Sequence, residues 1–172
     1  MGLTYHCAFK APTTTTAATL EAFLRIVEGK AKAMGFAPTA VINGAFNTDE
    51  QRRFARLLTT GLRIEHDSLK GVTLLDPRLV WSHDPIEGSC RVIPKHAVVL
   101  VVTDQHGMET VFGFLAYPKA LLDVNGRTMI LIPDQEQWTY RGHIKSSDPR
   151  FRNIVKCFEE AGYLESVKDE FA

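Results

Sequence analysis

The residues whose chemistry suits recognition gather around one expected β-hairpin. Residues 79–83 and 89–94 read as two strands joined by Asp84-Pro85-Ile86-Glu87-Gly88. Simple closure of that loop sets His83 opposite Ser89, Trp81 opposite Arg91 and Leu79 opposite Ile93, all on one face. An indole beside a guanidinium makes a cation–π pair worth about 0.5–1 kcal/mol at an exposed site. His83 adds a group that titrates near neutral pH. Trp81, His83, Ser89 and Arg91 are therefore the expected ligand-binding residues, with Trp138 of a later strand as a second indole walling the same cleft. The ligand they suit is small and anionic or aromatic. Ordinary half-exposed sheet faces carry the same residue types, so the pattern ranks a site without identifying its occupant.

Cys90, with His96 or His83 as base, is the candidate nucleophile. Gly88-Ser89-Cys90 falls in a strand, whereas a nucleophile elbow needs a strand-to-helix turn. A buried, inert thiol accounts for Cys90 as well, and Cys7, between Tyr5 and Phe9, reads as a core thiol. Metal ligation by His83, His96, His106 or His143 with Asp84 or Asp104 lacks any His-x-His or HExxH spacing, so no metal site is expected. Asp76, Asp84 and Glu87 read as loop carboxylates, and Glu159 and Glu160 as a solvated helix face. Neither a GxGxxG nor a GxxxxGK loop is present, so no nucleotide cofactor is expected.

Charge narrows the partners. Lys plus Arg is 20 and Asp plus Glu is 20. A dedicated nucleic-acid binder draws its affinity from a basic excess, which this chain lacks. Two basic clusters nevertheless exist: Arg52, Arg53 and Arg56, then Arg141, Lys145, Arg150, Arg152 and Lys156. They keep a weak nucleic-acid-binding domain among the readings, though a solvated helix face explains most charge runs. Zero net charge gives no attraction to an anionic membrane and makes self-association easier, so a homodimer is an expected partner and a membrane is not. The first residues lack a signal-peptide pattern, and the longest aliphatic run, 97–102, is too short to span a bilayer. Three cysteines, widely and irregularly spaced, do not form a disulfide framework, which points to a cytoplasmic protein.

These side chains need elements to hold them. Residues 4–10 alternate as a half-buried strand. Thr13 to Thr16 lead, with N-cap hydroxyls, into a helix whose stripe is Leu20, Phe23, Leu24, Val27, Ala31 and Met34, closed by Gly35. Residues 39–45 read as a strand, and Thr48 with Gln51 as the capping box of a second helix ending at Gly61. Strands follow at 98–103 and 108–117 around a turn with Gly107 left-handed, at 121–124 and 127–132 around Asn125-Gly126, and at 137–144. Asp148 caps a last helix with Pro149 in its first position and Gly162 after it; residues 163–172 read as a loosely packed acidic tail.

The order predicts a single α+β domain over residues 1–172: a mostly antiparallel sheet built of hairpins, with about three helices packed mainly on one face. The strands at 98–102 and 111–115 are apolar on both faces, so both faces must be covered. The leading function is a binding or interaction domain with no catalytic motif. The alternatives are a small enzyme of hydrolase or transferase type, using a His or Cys in a cleft near the Trp81 hairpin, and the weak nucleic-acid binder. The cysteine reading is checked by mass: denatured under non-reducing conditions, the chain is expected to carry three free thiols, and a loss of two hydrogens within one chain would refute this.

Overall fold

The computed structural model describes residues 3–45, 62–65, 79–80, 89–92, 94–116, 121–124, 127–130, 138–145 and 148–171. Along the chain these form β1 (Leu3–Lys10), α1 (Ala17–Ala33), β2 (Thr39–Ala45), β3 (Leu62–Glu65), β4 (Leu79–Val80), β5 (Ser89–Val92), β6 (His96–Thr103), β7 (Glu109–Ala116), β8 (Leu121–Val124), β9 (Arg127–Ile130), β10 (Thr139–Lys145), α2 (Arg150–Glu160) and β11 (Leu164–Phe171). The fold is α+β. A six-stranded sheet runs in the order β11-β1-β10-β7-β6-β2, and every neighbouring pair is antiparallel. The second helix expected between Thr48 and Gly61 lies outside the described residues.

Local chemistry sets the helix ends. Thr16 is the N-cap of α1, its Oγ1 accepting from the Thr19 backbone N–H at 3.2 Å. Gly35, at φ +92°, follows the C-cap, a conformation open to glycine at low cost. At α2 the N-cap is Pro149, one residue later than expected, and the Asp148 carboxylate before it accepts from the Arg150 N–H at 3.0 Å, which meets one of the donors of the first turn. Gly162, at φ +79°, stops the helix. Arg150 then fastens the two helices: its guanidinium lies 4.0 Å from the Phe36 ring centroid and donates to the Met34 carbonyl at 3.1 Å.

The core is aromatic. Phe158 of α2 stacks on Phe9 of β1 at 4.1 Å between centroids, and Phe9 stacks on Tyr140 of β10 at 5.5 Å. Phe112 and Phe114 of β7, two residues apart and so on one face, also meet Phe158. Phe23 of α1 meets Phe158 edge-on at 5.2 Å, which places both helices over the same face of the sheet. The Tyr140 hydroxyl donates to the Val111 carbonyl, so the ring carries no unmet polar group into the core. The opposite face of β6 and β7 is buried as well: Ala97, Val99, Val101, Val111 and Leu115 are sealed within one chain. The apolar-on-both-faces pattern is thus matched by burial on both faces, and a second copy is not needed to cover these residues.

Three readings of the sequence are corrected. The hairpins do not join one sheet: β3, β5 and β4 make a three-stranded sheet, and β8 pairs with β9 in a two-stranded one. Residues 164–171 are not a loose tail but an edge strand paired with β1, with Val167 opposite Cys7 and Leu164 opposite Phe9. The charges that read as a tail are also what a protected edge strand carries. Finally, β4 and β5 pair with Leu79 opposite Val92 and Val80 opposite Arg91, one residue away from the expected register. As the central strand, β5 answers to two neighbours, with β3 placing Arg63 opposite Arg91, so counting loop residues against one partner is insufficient.

Two substitutions test the packing. Phe158→Ala is expected to cost about 3–5 kcal/mol. Gly113 sits at φ +148° in β7, and a Cβ there would lie 2.4 Å from the Val98 carbonyl oxygen, so Gly113→Ala is expected to destabilise although it deletes nothing. Ile26, 62 % exposed on α1, serves as control, and Ile26→Ser should change stability by less than about 0.5 kcal/mol. Urea unfolding midpoints decide all three.

Candidate functional site

Of the five residues expected to bind a ligand, Trp81 and His83 lie outside the described residues. Ser89 and Arg91 stand on β5, opposite Glu65 and Arg63 of β3, and Arg91 has Val80, not Trp81, opposite it on β4. Trp138 lies just before β10, buried at 9 % exposure. The group beside it is His96, considered above only as a base for Cys90 or as a metal ligand. The two rings meet at 76° with 5.3 Å between centroids.

The sheet register explains what holds His96. β2 pairs with β6 so that Asn43 faces Val98 and Ala45 faces His96. Asn43 and His96 are therefore diagonal neighbours on the helix-covered face, within reach of long side chains. His96 Nε2 lies 2.6 Å from Asn43 Oδ1. On its other side Asn43 Nδ2 donates to Glu21 Oε2 of α1 at 2.7 Å. Arg25, one turn along α1, pairs with Glu21 at 3.3 Å. A carboxylate, an amide and an imidazole are thus joined in series, with an indole against the imidazole.

A second clasp joins the same two elements further along. Thr39 Oγ1 donates to Glu28 Oε1 at 2.9 Å, and Lys32 and Arg25 each approach that carboxylate at 3.4 Å. Glu28 is 8 % exposed, a charge on the buried face of α1 that apolar periodicity does not anticipate. Its partners explain its tolerance, since a buried carboxylate needs its lone pairs met.

Charge follows contact. Hydrogen bonds from Asn43 and then Arg25 hold the Glu21 carboxyl below its ordinary range, against a small opposing effect of burial. Burial pushes Glu28 up, but the Thr39 and Lys32 hydrogen bonds, with the Lys32 charge and Arg25, carry it below its ordinary value. Burial pulls the half-buried His96 down, and the neighbouring Lys95 charge adds to this. His96 is accordingly neutral at physiological pH. Cys7 is sealed in the core, and the Cys157 thiol, pushed up by burial, donates to the Asn153 carbonyl at 3.3 Å. Cys90 stands opposite Ile64 in the β3–β5 register.

Sequence reasoning picked out Trp138 and His96 but missed Asn43 and Glu21. They lie 53 and 22 residues from the groups they bond (His96 and Asn43), so no local spacing marks them. Among the described residues no group of three or more His, Cys, Asp and Glu is placed to hold a metal, and no helix is long and apolar enough to cross a membrane. Comparison with known protein families, with curated proteins and with solved structures finds no match to the chain.

These shifts fix the sign of the acid response. His96 binds its proton less readily folded than unfolded, so its contribution to stability is full above about pH 6.5 and is lost as pH falls below that. Glu21 and Glu28, lowered in the fold, contribute above the unfolded carboxylate value, and that is lost as pH falls through it. Stability from urea unfolding between pH 8 and 5 is expected to decline in the wild type and to decline less in His96→Gln; identical slopes would contradict it.

Proposed function

We propose that this chain is a single-domain, cytoplasmic binding module whose ligand-contacting corner is formed by His96, backed by Trp138 and braced by Asn43 and Glu21. The observation that carries the reading is the 2.6 Å contact between His96 and Asn43, within a chain that begins at a carboxylate 75 residues earlier in the sequence. A neutral imidazole held in a set orientation, next to the exposed Lys95 and against an indole, suits a small aromatic or anionic ligand. Binding is favoured over nucleophilic catalysis because, among the described residues, His96 Nε2 meets the Asn43 amide and not a thiol or hydroxyl. Ser89 and Arg91 on β5, and Trp81, remain part of the proposal as further ligand contacts, without the one shared face that the simple hairpin register gave them. A third helix between Thr48 and Gly61 and a homodimer complete the proposed architecture.

Fragment screening by NMR with small aromatic acids and phenols tests this reading. Shifts are expected to centre on His96, Asn43 and the Trp138 indole N–H and to disappear in His96→Ala. Fragments that bind only elsewhere, or turnover of an ester substrate that vanishes in His96→Ala, would replace the binding reading. Oligonucleotide binding that survives physiological salt would favour the nucleic-acid alternative instead.

A further inference from the structure

The chain Glu21–Asn43–His96 has a direction, and the direction limits what the corner can recognise. An ionised carboxylate only accepts hydrogen bonds. Glu21 takes one from Arg25 on Oε1 at 3.3 Å, and its Oε2 lies 2.7 Å from the Asn43 side-chain amide. Asn43 must therefore turn its NH2 group to Glu21, which leaves Oδ1 facing His96. Oδ1 can only accept, so the His96 Nε2 at 2.6 Å must carry the proton. In a neutral ring the other nitrogen, Nδ1, is then a bare acceptor. No hydrogen bond reaches Nδ1 from the described residues.

We infer that Glu21, Asn43 and His96 form a directed hydrogen-bond chain that holds the His96 ring as its Nε2–H tautomer, so that the ligand taken at this corner is one that donates an N–H or O–H to Nδ1. Asn43 and Glu21 are positioning residues: they act through the imidazole and touch no ligand. The low proton affinity of His96, caused by burial and Lys95, keeps Nδ1 bare at neutral pH and supports the same assignment. An aromatic alcohol or an aromatic N–H heterocycle meets both demands, presenting a donor to Nδ1 and apolar surface beside Trp138. An aromatic ligand that lacks a donor leaves the acceptor unmet and loses the affinity that one hydrogen bond supplies. The ligand half of this inference rests on the binding reading given above; the tautomer half rests on the geometry alone.

Two measurements on the full chain separate these halves. Long-range 1H–15N spectra at pH 7.5 are expected to show a single His96 tautomer, protonated at Nε2, with a slowly exchanging Nε2 proton. Asn43→Ala should lose that slow proton. Asn43→Asp, which still offers an acceptor, should keep it, a split that a merely structural role for Asn43 would not produce. An Nδ1–H tautomer in the wild type, or a slow Nε2 proton unchanged in Asn43→Ala, overturns the chain. Titration with phenol and with anisole, which has the same ring and no donor, tests the ligand half. Phenol is expected to move the His96 Nδ1 resonance and to bind about fivefold tighter than anisole. Equal binding of the two at this corner overturns the donor requirement. If neither moves Nδ1 while the tautomer signature is intact, the binding reading of the corner fails and the donor requirement falls with it.

Discussion

The stack of Phe158 on Phe9 is the contact on which the rest of the structure depends. Their rings lie 9° from parallel at 4.1 Å, and both side chains are at most 1 % exposed. Phe9 passes the contact to Tyr140, whose hydroxyl reaches the backbone of β7, while Phe158 passes it to Phe23 of α1. One aromatic column therefore links β1, β10, β7 and both helices. Aromatic rings bury large areas and hold preferred angles, so this column sets how α1 lies over the sheet. Only with α1 in that place does Glu21 stand over Asn43.

The two carboxylates that tie α1 to β2 differ in burial. Glu28 and Thr39 meet in a nearly sealed setting, where a lysine and an arginine answer the carboxylate. That arrangement is closed, and its role is to fix the helix against an edge strand. Glu21 and Asn43 meet near the surface, and their chain runs on to the half-buried His96 ring. The same interaction type, two turns apart on one helix, thus serves anchoring at one end and orientation at the other. Low dielectric strengthens the inner clasp, while solvent near the outer one weakens it.

The helices and most strands were legible because they rest on local rules. Of the first stripe Leu20, Leu24, Val27 and Ala31 are buried and Phe23 and Met34 partly so, the stripe Phe151, Ile154, Val155 and Phe158 is buried, and Thr16, Gly35, Gly107 and Gly162 occupy the caps and turn that their chemistry favours. The doubly apolar β6 and β7 announced burial on both faces. β11 was not legible as a strand, because Glu165, Lys168, Asp169 and Glu170 suit a solvated edge as well as a tail, and only pairing with β1 distinguishes them. The Trp81 register failed for a related reason. A central strand is placed by two neighbours, and Arg91 reports both β3 and β4.

What the sequence by itself determined is therefore the kind of chain this is: α+β, neutral, with its helices and central hairpin marked by periodicity and capping that act within a few residues. What only the tertiary structure decided is which polar groups meet. His96 stood in the sequence as one histidine among six. Asn43 and Glu21 had no mark at all, because their partners come from strand register and helix placement across tens of residues. Such meetings follow from the packing of the whole aromatic core, which no local pattern encodes.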